Sequence, residues 1–241
     1  MNENLEKIEN YIELAEKIDS VVYSNQFFPM VQLKNLKSNN LKFSLKGLNE
    51  EAEKKLLAVY PKDFEEDYIN FPIKFFKIEK KSKFINLEHK HYLGNILSLG
   101  IKREVLGDLI VKDGICYGVI LENMFEFLKE NIKKINSSPV EISEIKEEEI
   151  PQTEFQSLNI TLASLRLDSL LAELTNLSRT LSVSYVDLGN VQVNYEVVRE
   201  KNFKISIGDV IIIKKYGKFK VEEENGLTKK DKIKLIVKKY I

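Results

Sequence analysis

The chain contains few of the residue types that crosslink proteins or bind metal ions. Its 241 residues include one cysteine, Cys116, and two histidines. A single cysteine cannot form a disulfide bond within the chain, and this scarcity is typical of a reduced, cytoplasmic protein. Because zinc sites use several cysteine and histidine ligands, the composition argues against a zinc site. We therefore expect no metal centre.

Several kinds of segment are also missing. No apolar run approaches about eighteen residues, so no transmembrane helix or other membrane insertion is expected. The first ten residues, MNENLEKIEN, are acidic and polar, unlike the apolar core of a secretory signal.

No glycine-rich loop follows a predicted strand, and no set of nucleophile, base and orienting residue stands out. The sequence therefore predicts a binding protein with no cofactor and no catalytic residues, rather than an enzyme.

Neither sign of charge is in excess overall, because 37 basic side chains balance 37 acidic ones. The charges are unevenly placed, however: residues 153–241 hold 15 basic against 11 acidic side chains, and residues 1–75 hold 10 against 13. A local positive field attracts a polyanion even when the whole chain is neutral. The alternative is that these lysines form a solvent-exposed face that binds no polyanion. The lysines near the end of the chain are Lys214, Lys215, Lys218, Lys220, Lys229, Lys230, Lys232, Lys234, Lys238 and Lys239.

The predicted fold class is α+β, with three small modules in series. The first module, residues 1–72, has the pattern of an α/β unit. Helical spacing of apolar residues predicts a helix over residues 3–22, and alternation predicts a strand over 41–45. A short second helix is predicted between Asn49, which would cap it, and Pro61.

The second module, residues 73–146, has the element order βαββαβ. This is the order of ferredoxin-like domains, which include the RRM-like domains. An RNA-binding sheet of that kind carries stacking aromatic residues on its central strands, and here the third strand offers only Tyr117, for which a structural role is favoured. The predicted strands are 73–78, 109–111, 115–120 and 139–142, and the predicted helices are 87–99 and 122–134.

An acidic run followed by proline, residues 147–152, is the predicted linker to a third module, residues 153–241. That module begins with two short helices and continues as a small antiparallel sheet. Turns are predicted at Gly208-Asp209, Tyr216-Gly217 and Asn225-Gly226. The predicted strands are 191–194, 204–207, 210–214, 219–222 and 233–239.

Four short motifs in the third module form an ordered series: Ser164-Leu165-Arg166-Leu167-Asp168, Leu177-Ser178-Arg179, Gly189-Asn190-Val191-Gln192-Val193-Asn194 and Ile207-Gly208-Asp209-Val210-Ile211. No single motif is specific, but the ordered set resembles the S-four domain, the RNA-binding module first known from small-subunit ribosomal protein S-four. The resemblance implies a carboxy-terminal domain that binds structured RNA.

The chemistry of these motifs agrees with RNA binding. Arg166 and Arg179 each begin a predicted helix, and arginine forks bind phosphate oxygens in bidentate fashion. Ser178 is expected to cap its helix with a hydroxyl that can also meet phosphate, and Thr180 belongs to the same predicted set. The alternative for Arg166 is an ion pair with Asp168, whose expected role is structural.

The remaining residues of the predicted RNA-binding set lie further along the chain. Asn194 ends a predicted strand, where its amide would either read an RNA edge or fix a turn. The lysines of the set are Lys214, Lys215, Lys218, Lys229 and Lys230.

Two longer strings, residues 83–94 and 99–108, resemble the signature of the bacterial YlmH family, and the segment 226–230 also fits. The resemblance covers roughly Tyr11 to Lys239. It implies binding to the large ribosomal subunit, to rRNA and to tRNA, with help to obstructed nascent chains. The chain departs from the family pattern at three places: His89-Lys90-His91, Lys46-Gly47-Leu48 and Ala52-Glu53-Lys54.

A possible second RNA contact lies within these strings. It consists of His89 and Lys90 at a helix start, with Lys102 and Arg103 in a loop flanked by glycines. The alternative for the loop is a structural turn in which Asp108 caps a strand. Two other functions stay open: an accessory interaction protein of bacterial cell division, whose genes often neighbour those of the family, and an RNA-modifying enzyme.

Overall fold

The computed structural model describes residues 3–82 and 85–241. It forms two compact units, one that ends at Gln152 and one that covers Thr153–Ile241. The first YlmH-like string begins with Lys83 and Phe84, which lie outside the described residues. Among the residues that are described, no helix is both long and apolar enough to cross a membrane.

The first unit contains a three-stranded sheet, followed along the chain by a five-stranded sheet. Its helices are α1 (Glu3–Ile18), α2 (Met30–Leu33), α3 (His89–Ser98) and α4 (Glu122–Asn131). Its strands are β1 (Val22–Pro29), β2 (Leu41–Lys46), β3 (Lys54–Pro61), β4 (Ile73–Lys80), β5 (Leu106–Lys112), β6 (Ile115–Leu121), β7 (Lys134–Ile135) and β8 (Ser138–Ile145).

The second unit pairs two helices with one larger sheet. Its helices are α5 (Leu167–Thr175) and α6 (Arg179–Asp187). Its strands are β9 (Phe155–Leu162), β10 (Val191–Val193), β11 (Glu196–Val197), β12 (Val210–Ile213), β13 (Gly217–Leu227) and β14 (Ile233–Tyr240). The mixture of helices and antiparallel sheets confirms the α+β class.

The first sheet has the order β1-β3-β2, and α1 packs on it through Ile8 and Ala15. The helix predicted between Asn49 and Pro61 is wrong, because this segment contains the central strand β3. Residues 56–60 of that strand are all buried, on both faces of the sheet. A short continuous apolar run of this kind cannot be told from a buried helix by periodicity. The first helix also ends earlier than predicted, at Ile18.

The second sheet has the order β5-β6-β4-β8-β7, with β4 antiparallel to both β6 and β8. The predicted βαββαβ order is confirmed, and β7 is a short addition at one edge. Helices α3 and α4 cover one face of the sheet, where Tyr92 and Phe125 are buried against Phe76 and Ile78.

The other face of this five-stranded sheet is covered by the first sheet. Phe27 and Leu56 are buried together with Val119 and Leu121 of β6. Phe75, on the central strand β4, is partly buried against the same cluster. The two predicted amino-terminal modules therefore share a core.

The second unit contains a six-stranded sheet of order β11-β10-β12-β13-β14-β9. Helices α5 and α6 bury Leu170, Leu171 and Val186 against one of its faces. The sequence missed β9, which pairs with β14 along its whole length. Its exposed edge position leaves only Ile160 and Leu162 buried, so its apolar pattern is weak.

Two further expectations for this sheet are wrong. The segment 204–207 is not a strand, and only Lys204 forms an isolated bridge, to Arg166. Asn225-Gly226 is not the hairpin turn: it lies within β13, where the pairing with β14 is irregular and Gly226 has a φ of 73°. The turn comes later, where Thr228 Oγ1 accepts hydrogen bonds from the N–H groups of Lys230 and Lys232.

Candidate RNA-binding surface

The start of α5 is held by a neighbouring loop. The N–H of Leu167 donates to the carbonyl of Phe203 at 2.9 Å, and the N–H of Asp168 donates to the carbonyl of Lys201 at 3.1 Å. These two N–H groups would otherwise be open to an anion at a helix amino terminus. Any anion binding here therefore depends on side chains rather than on these backbone groups.

The carboxylate of Asp168 organises both predicted arginines. Asp168 is 1% exposed, and it accepts two hydrogen bonds from Arg166, from Nε to Oδ1 and from Nη2 to Oδ2, each 3.0 Å long. The Nε of Arg179 lies 3.6 Å from Oδ2. The ion pair between Arg166 and Asp168, expected as the alternative to RNA binding, is present. Both guanidinium groups therefore lie beside the same carboxylate.

The two arginines differ in how far they reach solvent. The side chain of Arg166 is 37% exposed, whereas that of Arg179 is 69% exposed. Arg166 is thus the more structural of the pair, and Arg179 is the more available to a ligand. A planar fork fixed by a carboxylate on one side is pre-organised, so less entropy is lost when a phosphate binds on the other.

The start of α6 is close to its predicted form. The Oγ of Ser178 accepts a hydrogen bond of 3.3 Å from the N–H of Leu181, so Ser178 caps the helix. Arg179 and Thr180 are exposed on its first turn. The helix ends before Gly189, which has a φ of 72°.

Sequence reasoning missed Lys204 as a member of this surface. Lys204 is exposed and forms an antiparallel bridge with Arg166. Residues directly opposite one another in such a bridge carry their side chains on the same face. The only signal in the sequence was its position in a predicted strand, which did not indicate what lies opposite. We use the term arginine cluster for Arg166 and Arg179, which meet at Asp168, together with Lys204, which lies opposite Arg166.

Asn194 acts as a turn residue. Its Nδ2 donates to Asp209 Oδ1 at 2.9 Å, and its Oδ1 accepts from the N–H of Val210 at 3.0 Å. Its φ of 51° lies in the left-handed region that asparagine tolerates. Both polar atoms of the Asn194 amide form hydrogen bonds within the protein. The structure therefore favours the role of Asn194 in fixing a turn over a role in hydrogen bonding to an RNA base.

The predicted lysines do not form one patch. Lys214, Lys215 and Lys218 lie around the turn where β13 begins, and Lys229 and Lys230 lie in the turn that follows its other end. At about 3.3 Å per residue, the ends of β13 are roughly 30 Å apart. The structure therefore places the two lysine groups at opposite ends of the sheet.

In the first unit, the glycine-flanked loop has a structural role. The Nη1 of Arg103 donates to the carbonyls of Leu106 and Gly107, and Asp108 accepts a hydrogen bond of 2.6 Å from the N–H of Glu53, just before β3. A Cβ on Gly107 would clash with Val119 and crowd Phe27. The loop thus joins the two sheets, as in the structural alternative, while Lys102 is exposed.

The start of α3 is occupied by local contacts. The Nδ1 of His91 accepts a hydrogen bond from the N–H of Glu88, and Lys90 Nζ lies 2.8 Å from the Glu88 carboxylate. His89 and Lys90 are exposed. Throughout the described part of the chain, no group of three or more histidine, cysteine, aspartate or glutamate residues is placed to hold a metal ion.

Two family models match the chain in the two units. Residues 65–149 match the model described as "Putative RNA-binding domain in YlmH", and residues 165–211 match the S4 domain, which is the S-four domain. The resemblance to YlmH is confirmed. The first match encloses the ferredoxin-like domain, and the S4 match encloses α5, α6 and the arginine cluster.

The chain is also similar to known proteins. "Ribosome-associated protein quality control protein P2" of Bacillus subtilis (strain 168) is 26% identical over 188 residues, which cover 77% of this chain and 73% of that protein. A solved structure, "Cell division protein ylmH from Streptococcus pneumoniae", covers 61% of this chain and 92% of its own, with a TM-score of 0.50 and 23% identity. The second likeness shows the fold alone.

Proposed function

We propose that this protein is a non-catalytic RNA-binding protein of the ribosome, which grips structured rRNA or tRNA through the arginine cluster of its S4 domain. On the large subunit it would help to process obstructed nascent chains. The ribosomal part of the proposal is supported by the name of the Bacillus subtilis relative and by the YlmH-type RNA-binding domain.

The observation that carries the proposal is the convergence of Arg166 and Arg179 on the buried carboxylate of Asp168. One arginine is anchored by two hydrogen bonds, and the other is mainly exposed beside it. The negative charge of Asp168 offsets one of the three positive charges of the arginine cluster. The cluster therefore keeps an excess of positive charge that can bind phosphate. Charge-assisted contacts of arginine with phosphate are stronger than neutral hydrogen bonds.

The test is binding of a labelled RNA hairpin to the full chain at two salt concentrations. Arg179→Ala is expected to weaken binding about tenfold or more, because one charge-assisted contact is worth roughly 1.5–3 kcal/mol. Arg179→Lys keeps the charge but not the fork and should recover part of the loss. The dependence of affinity on salt should also become shallower, since fewer counterions are released.

The matched control is Arg199→Ala. Arg199 is an exposed arginine of the same unit, but its Nη1 donates to the carbonyl of Asp187, at the other end of α6. Arg199→Ala is expected to bind the hairpin like the parent. Parental affinity of Arg179→Ala at both salt concentrations would contradict the proposed grip.

Sedimentation of the tagged chain through a sucrose gradient tests the ribosomal partner. The parent is expected in the large-subunit fractions, and Arg179→Ala should move toward the top of the gradient. A pull-down after nuclease treatment adds a second reading. Division proteins that persist when ribosomal components are lost would favour the accessory protein of cell division instead.

A further inference from the structure

One face of the six-stranded sheet is separate from the arginine cluster and carries aromatic rings between lysines. We call this surface the aromatic–lysine face; its residues are Phe155, Tyr195, Lys218, Lys220, Lys238 and Tyr240. Lys220 is paired with Lys238, and Phe155 with Tyr240, and such cross-strand neighbours share a face.

This face points away from α5 and α6. The residues that alternate with it along β13 and β14, Phe219, Val221 and Val237, are buried in the core that contains both helices. Side chains of successive residues in a strand point to opposite sides of the sheet. The rings and lysines therefore stand on the side of the sheet that these helices do not cover, and all six are partly exposed.

The rings and the ammonium groups form a continuous cluster. Lys218 Nζ lies 4.5 Å from the ring centroid of Tyr240 and 5.6 Å from that of Tyr195. Lys238 Nζ lies 5.3 Å from the centroid of Phe155, and the rings of Phe155 and Tyr240 meet edge to face at 4.8 Å. The cluster is thus held in place by cation–π and aromatic contacts before any ligand binds.

Three of the six residues of this face are lysines. Two of them share the carboxylate of Glu222, which lies 2.9 Å from Lys238 Nζ and 3.5 Å from Lys220 Nζ. The hydrogen bond from Lys238 and the two lysine charges lower the pKa of Glu222, so this carboxylate stays ionised near neutral pH. On the same face, Lys218 Nζ stands over the rings of Tyr240 and Tyr195, which places a positive charge beside the aromatic surface.

We propose that the aromatic–lysine face binds a segment of single-stranded RNA, with bases on the rings of Phe155, Tyr195 and Tyr240 and phosphates on Lys218, Lys220 and Lys238. Aromatic rings beside a positive track are the combination by which proteins hold single strands without reading their sequence. An acidic peptide would use the lysines but would gain little from three clustered rings. The proposal extends the RNA binding proposed above to a second surface of the same domain.

The probe is a labelled oligouridylate of about twelve nucleotides, a length that one small binding domain can hold. Phe155→Leu with Tyr240→Leu keeps apolar bulk and removes two rings, and it is expected to weaken binding of the full chain at least tenfold. Phe155→Tyr with Tyr240→Phe keeps the rings and should bind like the parent.

Binding of the hairpin by the same variants separates this proposal from the first one. The ring variant should keep the hairpin affinity of the parent, and Arg179→Ala should keep its oligouridylate affinity. Parental oligouridylate affinity of the ring variant would overturn the second surface and leave the arginine cluster intact. The second surface would also be overturned if a polyglutamate peptide bound the parent while the oligouridylate did not, and thermal melting checks that each variant is folded.

Discussion

The two large sheets of this protein each have helices on one face, but they differ in what lies on the opposite face. In the ferredoxin-like domain, the face that α3 and α4 leave open is covered by the first sheet, and Phe27, Leu56, Val119 and Leu121 are buried between the layers. In the second unit, the face that α5 and α6 leave open carries partly exposed rings and lysines. The same architecture of helices on one face thus gives an internal joint in the first unit and a partly exposed surface in the second.

This difference changes what an RRM-like order implies. RRM domains bind RNA on the open face of the sheet through aromatic residues of central strands. In this chain Phe75 of the central strand contacts the buried joint, so the residue type is present but the face is used for packing. The topology of a domain therefore does not locate its ligand surface, which depends on what covers each face.

The largest effect is expected from opening the covered face. Phe27→Ala removes a ring that is 2% exposed and lies between the two sheets, and it should lower the free energy of unfolding by about 3–5 kcal/mol. Urea denaturation of the full chain measures this change. Tyr68→Ala, at an exposed tyrosine of the same unit, should stay within about 0.5 kcal/mol of the parent. A similar loss of unfolding free energy in both variants would mean that packing between the two sheets contributes no more to stability than an exposed side chain does.

A smaller effect is expected at the arginine cluster of the S4 domain. Arg166→Ala removes the two hydrogen bonds to the buried Asp168 carboxylate, and it should destabilise the second unit by about 2 kcal/mol, since an uncompensated buried carboxylate is costly. Arg179→Ala removes a longer and more exposed contact and should cost about 0.5 kcal/mol or less.

The double variant Arg166→Ala with Asp168→Asn provides the check on that mechanism. It removes the unpaired charge and should be more stable than Arg166→Ala alone. Thermal unfolding of the parent, of Arg166→Ala, of Asp168→Asn and of the double variant gives the coupling energy between the two residues. Equal melting of Arg166→Ala and Arg179→Ala would show that Asp168 does not depend on its closer partner. It follows from the geometry that Arg179, not Arg166, is the cleaner site for testing RNA binding.

A small effect that depends on pH is expected at Lys54, a partly buried lysine at the start of β3. Burial, followed by the nearby charge of Arg103, lowers the pKa of Lys54 from 10.5 to about 8, although Asp108, Glu104 and Glu53 oppose the shift. Between these two pH values the unfolded chain holds a proton that the folded chain has lost, so the free energy of unfolding rises with pH through this window. Because Lys54 is partly exposed, we expect a rise of only about 1 kcal/mol.

Lys54→Met should remove this rise, and its stability relative to the parent should be greatest below pH 8. Urea denaturation between pH 7 and pH 10 measures the slope. Lys62→Met, at an exposed lysine just after the same strand, should keep the slope of the parent. An unchanged slope in Lys54→Met would indicate that the site is well hydrated.

Local patterns in the sequence predicted much of this fold. The alternation of strand and helix signals from Ile73 to Ile145 gave the ferredoxin-like order, because each element there has one apolar side at its own period. The helix cap at Ser178 was also readable, since a cap depends on nearby backbone. The strand β3 was misread because its burial on both faces removes the period that distinguishes strand from helix.

The sequence by itself determined the residue chemistry of this protein: a single cysteine, a basic carboxy-terminal part, and two arginines that each precede or begin a helix. Tertiary structure alone decided which of these groups meet. It brought Lys204 opposite Arg166, placed Asp168 between two arginines, and separated the lysines at the two ends of β13. Distances across a sheet or between a loop and a helix depend on pairing between segments far apart in the chain, and no local pattern encodes that pairing.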